Sequence, residues 1–350
     1  MNSPLPILKT FNAKELRSWL CTNHATEWLS EAVISPSRAW AIIHNPYIQD
    51  DEPVAAALFL DNELTAFTAS FPDRINNKNY HWFSTLWCHP SQQGKGYGLL
   101  VVGSLFEIFG SDNCLDMWGA PETVGIFNYL GHSTSYFPEY RFAPKHIRRG
   151  SLKGEIAYIQ NKIQHIAKKT SIPDTAPRQY TLKYVCHIDN NIYHFIQQYG
   201  INDLIPRTQE MLNWILSYHF RHRTPLITHE LQSNAFDDRD SRYWMSGVIV
   251  TVNNETVGFY ILRDGDSELS IKYLYYNPEY RNCVFRSIAR HIVSLGNPAF
   301  TTRNRQLSDY ISNLNLFDKK ETINISFSHP SQFTITDTAI SQAGDGDGFA

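Results

Sequence analysis

Three glycines stand at alternate positions, Gly94, Gly96 and Gly98, in the stretch "LWCHPSQQGKGYGLLVVGSLFEIF". Glycine weakens strands and helices alike, yet these three lie where a strand-like run gives way to a helix-like one. Bare backbone at such a junction is a device for holding an anion. Free N–H groups at the start of a helix point at the ligand, and the helix dipole adds favourable charge. The plain alternative is a glycine turn with no ligand, since short glycine patterns often arise by chance. Two other phosphate motifs do not fit. G-x-x-x-x-G-K-[ST] is absent, and the spacing is G-x-G-x-G rather than the G-x-G-x-x-G of dinucleotide folds.

Other chemistry-bearing residues have simpler readings. His219, His222 and His229 include an H-x-x-H pair, but a solvated helix end explains them better than a metal site. The five cysteines are scattered and form no C-x-x-C pair, which argues against a zinc ribbon or a disulfide framework and fits a reducing cytoplasm. Eight Trp and 19 Tyr could line a sugar-stacking cleft, although core packing accounts for most of them. With 31 Lys+Arg against 34 Asp+Glu the net charge is -3, so no basic field points to nucleic acid. No signal-like start is visible, and the run "GLLVVGSLFEIFG" is too short to span a bilayer.

The elements that position the glycine loop follow from periodicity. "AKELRSWLCTNHATEWLSEAVISPSRAWAIIHNP" reads as one or two helices, with Trp19, Leu20, Trp28, Leu29 and Ala32 near helical spacing. "VAAALFL" and "LTAFTAS" are strands joined by a tight turn at "DNE", and "NYHWFSTLWCH" is a third strand ended by Pro90. A helix follows the loop, then the short strand "CLDMWGA" and the short helix "PETVGIFNYLGH", with Pro121 near its start and Gly131 at its end. "TSYFPEYRF" reads as a last strand pair or an irregular edge. Residues 168–180 turn polar and carry two prolines, as a linker would.

Beyond "NDLIPRTQEMLNWILSYHF", a helix, the same grammar returns: strand, "NNE" turn, strand, strand, Asn-Pro, loop, helix, then "PAFTTRN" and the helix "LSDYISNLNLF". This is an internal duplication. The expected division is 1–150 for the first domain, 151–180 for a linker region, 181–332 for the second domain and 333–350 for a tail. The end "QAGDGDGFA" reads as flexible, or as folding back to bring aspartates near a cleft.

The segment "HPSQQGKGYGLLVVGSLFE" resembles the acyl-CoA-binding motif of the GCN5-related N-acetyltransferases (GNATs), [QR]-x-x-G-x-[GA] after a strand and a proline. Gln93, Gly96 and Gly98 fill it, Gly94 matches a common choice, and "FNYLGH" is similar to the family's later "fYeklGF" segment. The resemblance implies an α/β (α+β) fold of two tandem GNAT-like domains, each a mixed, mostly antiparallel sheet flanked by helices. It implies that the backbone of Gly94, Lys95, Gly96, Tyr97 and Gly98, with Gln93, holds the pyrophosphate of acetyl-CoA. The strand backbone at Leu86, Trp87 and Cys88 would pair with the pantetheine arm. The second copy keeps the proline and has Arg281 for Gln93, but Asn282, Val284 and Arg286 replace the glycines, so it is expected to bind no CoA.

Acetyl transfer to an amine needs the amine held at the thioester, a proton acceptor and an oxyanion donor. The family often uses a Glu before the loop, but no acid lies between His81 and His89. His81 is the nearest ionisable candidate, with an ordinary strand-end histidine as the alternative. The family's tyrosine acid falls on Phe127, and Tyr129, two positions on, turns to another helix face. The expected activity is acyl-CoA-dependent N-acetylation of a small amine, an amino sugar among the candidates, without a metal. An aminoacyl or peptidyl transferase of tandem type, or a non-catalytic CoA-binding module, are the alternatives. The acceptor is expected between the domains, against "SYFPEYRF" and the tyrosines Tyr273, Tyr275 and Tyr276. Oligomeric state is not legible.

Overall fold

The two turns of the repeated grammar fold alike. Asp61 and Asn62 take φ of 51° and 67°, and Asn253 and Asn254 take 51° and 66°. Two successive residues at positive φ make the tight hairpin whose twist suits antiparallel strands, and Asn and Asp tolerate that region. The turns join β2 (Pro53–Leu60) to β3 (Glu63–Ile75), and β8 (Tyr243–Val252) to β9 (Glu255–Gly265). Both hairpins shift register near the turn, at Leu58/Phe59 and at Val250/Thr251. The duplication therefore extends to bulges that periodicity does not reveal.

The computed structural model describes residues 5–20, 33–34, 36–144, 180–217, 243–265, 268–296 and 298–346. The first half opens with β1 (Ile7–Asn12), α1 (Ala13–Leu20) and α2 (Pro36–Ile43). After the β2–β3 hairpin come β4 (Lys78–Cys88), α3 (Tyr97–Phe109), β5 (Cys114–Met117), α4 (Pro121–Tyr129) and β6 (Ser133–Ala143). The second half opens with β7 (Tyr180–Val185), α5 (Asn190–Tyr199) and α6 (Gln209–Leu216). After the β8–β9 hairpin come β10 (Glu268–Tyr276), α7 (Arg281–Ser294), β11 (Ala299–Thr302), α8 (Arg305–Asn313) and β12 (Lys319–His329). Trp28, Leu29, Ala32, most of the expected linker, and His219, His222 and His229 lie outside the described residues.

All twelve strands form one sheet in the order β1-β2-β3-β4-β5-β12-β6-β11-β10-β9-β8-β7. Each half keeps its first five strands and gives its sixth to the other. β12 pairs with β5 through Phe327↔Met117 and Ser328↔Asp116, while β6 pairs with β11 from Phe300↔Phe142 to Thr302↔Tyr140. β6 and β12 also pair along their whole lengths, Lys319↔Ala143 to His329↔Ser133. The expectation of a strand pair or irregular edge at "TSYFPEYRF" is thus corrected. It is one 11-residue strand in the middle of the sheet, because β12, distant in sequence, supplies the partner that makes it regular.

One sheet face carries a core that runs through both halves, from Leu16 and Ile42 beneath α1 and α2 to Phe195 and Leu212 beneath α5 and α6. The other face is divided. Val101, Leu105 and Phe127 of α3 and α4 cover the first half, and Phe285, Ile288 and Leu307 of α7 and α8 cover the second. No helix among the described residues is long and apolar enough to cross a membrane.

The end of the described chain is not loose. Residues 341–346 are buried, against the reading of a flexible tail. Arg207 reaches the Gly344 and Gly346 carbonyls at 3.3 and 3.0 Å, and Arg303 reaches Ser341 Oγ and the Gln342 carbonyl at 2.7 and 3.0 Å. Charged donors on carbonyls make strong hydrogen bonds, and these fix a segment whose composition alone reads as disordered.

Candidate active site

The site begins where β4 leaves β5. The two run parallel for three pairs, His81↔Cys114, Trp82↔Leu115 and Phe83↔Asp116, and then diverge. Beyond Phe83, β4 continues to Cys88 paired to β3 on its other side. A register shift against Ala69/Ser70 leaves Ser84 as an extra residue, and such bulges re-aim a strand. Arg38 of α2 holds the bulge, with Nη1 2.7 Å from both the Ser84 carbonyl and Ser84 Oγ.

The glycines do two different jobs. Gly94 and Gly96 have φ of 78° and 82°, a region that only glycine enters freely, and a Cβ on either would meet nothing within 4 Å. They shape a turn whose concave side is open. Gly96 is the N-cap of α3 and supplies no side-chain cap, so the first N–H groups of the helix face that space. Gly98 is required for packing instead. A Cβ there would lie 3.2 Å from Cys88 Sγ, so its bareness seats the helix on β4. Gln93 Nε2 donates to the Cys88 carbonyl at 3.4 Å, and Lys95 Nζ to Gln92 Oε1 at 2.7 Å.

The gap between β4 and β5 opens into a cavity of ≈ 500 Å³. It reaches from Arg38 of α2 on one sheet face to Val102 of α3 and Phe127 of α4 on the other, past Leu86 and Asp116. Its far wall comes from the exchanged strand and the second half: Glu139, Arg141, Arg263, Glu268, Lys272 and Ala343. Burial raises the Asp116 carboxyl to about 7 and lowers the Lys272 ammonium to about 7. Both shifts favour the neutral form of the group.

The counterpart gap in the second half, between β10 and β11, is filled. β10 pairs with β11 from Glu268↔Ala299 to Ser270↔Thr301 and then diverges, with its own register shift at Lys272. Into that gap goes the C-terminal segment. The Gly344 N–H donates to the Lys272 carbonyl at 2.9 Å, and the Leu274 N–H to Gln342 Oε1 at 3.3 Å. Tyr273 OH donates to the Gly344 carbonyl at 2.7 Å, and a Cβ on Gly344 would overlap the Tyr273 ring. No glycine turn precedes α7, which starts at Arg281 directly after the 3-10 turn Pro278–Tyr280.

Several expected residues lie elsewhere. His81 is buried, stacked on Phe109 at 3.6 Å, and does not line the cavity. Burial lowers its pKa to about 4, so it is neutral and its 3.8 Å approach to Glu52 is not an ion pair. Tyr129 is 77% exposed and does not line the cavity, whereas Phe127 is fully buried in its wall. Tyr273 and Tyr275 do not offer hydroxyls to a ligand. They are buried and bonded to Gly344 and to Asp203 Oδ2 at 2.8 Å, while Tyr276 bonds Gln306 at 2.9 Å. From "SYFPEYRF" the cavity takes Glu139 and Arg141 rather than an aromatic wall. Asp116, Arg38 and the charged residues of the second half were not singled out by pattern. The one available signal was an acid inside the otherwise apolar "CLDM", a four-residue strand buried throughout.

No protein-family model matches the sequence, and no curated protein does. Solved structures do match. A tandem GNAT protein from the clavulanic acid biosynthesis pathway superposes with a TM-score of 0.54 at 9% identity, over 95% of this chain and 100% of the other. The fold is that of a tandem GNAT protein. Saccharomyces cerevisiae N-myristoyltransferase with bound myristoyl-CoA has a TM-score of 0.52 at 10% identity, over 93% of this chain and 84% of the other. A GCN5-related glucosamine N-acetyltransferase region of a fungal multi-domain β-N-acetylglucosaminidase has 0.51 at 13% identity, over 94% of this chain and 38% of the other. At these identities the GNAT likeness is one of fold, and its tandem form agrees with the duplicated hairpins.

Proposed function

We propose that this chain is an acyl-CoA-dependent N-acyltransferase that moves an acetyl group from acetyl-CoA to a small amine, using a cofactor site in its first half only. One observation carries this reading: β4 parts from β5 after Phe83, its residues Ser84 to Leu86 line the cavity, and the open Gly94–Gly96 turn at the start of α3 follows the end of the same strand. The residues fit the cofactor. The uncapped N–H groups at the start of α3 suit a diphosphate, and the β4 edge from Leu86 to Cys88 suits an amide-bearing arm. When bound, acetyl-CoA supplies an activated acyl group. The chain has to orient it and to hold the acceptor in the remaining volume. The charged far wall favours a polar amine, and the fold likeness to a glucosamine N-acetyltransferase region makes amino sugars the first acceptors to screen.

Calorimetric titration with acetyl-CoA tests the reading, followed by an acetylation screen over amino sugars and aliphatic amines. One acetyl-CoA per chain and turnover of an amine are expected. Absence of binding overturns the reading. Binding without turnover of any amine reduces the chain to a CoA-binding module, the role that Phe127 in place of a tyrosine would fit.

A further inference from the structure

We infer that Asp116 is the catalytic residue that receives the acceptor's ammonium group and removes its proton. This inference rests on the acyltransferase reading of the same cavity. Asp116 is the last residue of β5 paired to β4 before the strands part, so it stands at the apex of the gap opposite the Ser84 bulge. Its carboxyl is buried, lines the cavity, and leaves Oδ2 without a hydrogen-bond partner. A buried polar atom without a partner is costly and uncommon in folded proteins. A cationic ligand in the cavity would supply the missing donor.

The turn beside it is strained. Trp118 has φ of 72°, a true outlier for a bulky side chain. Gly119 follows, and a Cβ on it would overlap Asp116 Oδ2. The strain is held from the other half. Trp118 N–H donates to the Ser326 carbonyl at 3.1 Å, Ser326 Oγ to the Gly119 carbonyl at 3.2 Å, and Arg303 lies 4.7 Å over the Trp118 ring. Strain kept up by surrounding structure clusters at functional sites. Here β12 and Arg303 keep the Gly119 backbone bare beside the carboxyl.

The acceptor R–NH3+ gives one proton to the Asp116 carboxylate and becomes R–NH2. The nitrogen lone pair forms the C–N bond to the acetyl carbonyl carbon, and the C–S bond breaks with its electron pair going to sulfur. The second proton of the nitrogen passes to the thiolate, giving CoA-SH. Asp116 then releases its proton to water. The charged groups facing the same cavity are Arg38, Glu139, Arg141, Arg263, Glu268 and Lys272. Burial shifts Lys272 and Asp116 toward each other, so a pH profile is assigned by substitution.

The test compares the full-length protein with Asp116→Asn and Asp116→Glu. Glucosamine and 1,4-diaminobutane serve as acceptors, and carboxyl 13C NMR follows Asp116. Asp116→Asn is expected to bind acetyl-CoA within about twofold of wild type while kcat/KM falls about 10²- to 10⁴-fold, the usual worth of a general base. The limb of the pH profile near 7 should disappear with it, and Asp116→Glu should recover part of the rate. In the wild type the Asp116 carboxyl should titrate near 7 and shift when 1,4-diaminobutane is added. An unchanged rate and profile in Asp116→Asn overturns the inference, as does a carboxyl resonance that titrates near 4 and ignores the amine. Failure of the wild type to bind acetyl-CoA overturns the acyltransferase reading instead, and the amine-dependent carboxyl shift still decides whether Asp116 receives an ammonium.

Discussion

The gap between β4 and β5 and its counterpart between β10 and β11 come from the same strand grammar and end in opposite states. The first is flanked by a glycine turn and stays open. The second has lost the turn and holds residues 341–346 of its own chain. The way each helix sits on the sheet has also been reversed. In the first half the small residue is on the helix, Gly98 against Cys88. In the second it is on the strand, where a Cβ on Gly258 would overlap Val284. A duplicated frame can thus keep its packing while only one copy keeps a ligand-sized opening. The other gains a structural plug.

The largest expected effect comes from the residue that ties the plug to the first half. Arg207 holds the Gly344 and Gly346 carbonyls, and it pairs in full burial with Asp73 of β3, which also accepts from Trp82 Nε1 at 2.8 Å. Asp73→Ala leaves that guanidinium buried without its counter-ion and should cost roughly 3–5 kcal/mol, read as a lowered unfolding midpoint in denaturant. A shift of under about 1 kcal/mol would show that the two halves do not depend on this link.

Next is the plug itself. Gly344→Ala drives a methyl into the buried Tyr273 ring and should destabilise by about 1–3 kcal/mol. Acetyl-CoA affinity should stay within twofold and the stoichiometry should stay at one. A stoichiometry of two in this variant would mean that the second gap binds the cofactor once the plug is displaced, and the contrast between the halves would collapse.

In the first half, Gly96→Asn separates shape from space. Asn tolerates positive φ, so the turn should survive, while its side chain enters the open side. Acetyl-CoA affinity should fall at least tenfold, about 1.4 kcal/mol, with the unfolding midpoint little changed. Unchanged affinity in a folded variant would remove the glycine turn from the site.

The smallest effect is on the pH dependence of stability. The folded protein holds the Asp116 proton up to about 7, well above the ordinary carboxylate range. Between the unfolded and folded values the native state binds more protons, so this group's contribution to stability falls as pH rises toward 7. Asp116→Asn should therefore raise the thermal midpoint more at pH 8 than at pH 4. His81 acts in the opposite direction. Its pKa is lowered by burial to about 4, so it costs stability as pH falls from its unfolded range toward 4 and contributes nothing to a difference above pH 7. A midpoint of Asp116→Asn that tracks wild type at both pH values would show that the carboxyl is not held neutral by burial.

Local grammar was legible in the residues. The two hairpins, the short strand and helix after each long helix, and the loop at Gly94 and Gly96 depend on contacts within a few positions, and turn chemistry marks them. β1 and β12 are not legible in the sequence, because neither is set off by a turn signal, and β12 becomes a regular strand only between β5 and β6. The candidate site was half legible. Its glycine loop is a local motif, but Asp116 looks like any acid near a strand end until β4, β12 and the Gly119 turn close around it. Tyr273 and Tyr275 looked available for a ligand because sequence does not say which hydroxyls are already bonded to Gly344 and Asp203.

By itself the sequence determined the repeated run of hairpin, strand, loop and helix, the duplication and which copy carries the glycine turn, since each follows from short-range sterics and hydrogen bonding. Only the tertiary structure decided that the halves trade their sixth strands, that the C-terminal segment closes the second gap, and that charges from both halves meet in one cavity. Those outcomes turn on pairings between residues far apart in the chain. Their free energy comes from burial and from satisfying distant polar groups, and no local pattern encodes it.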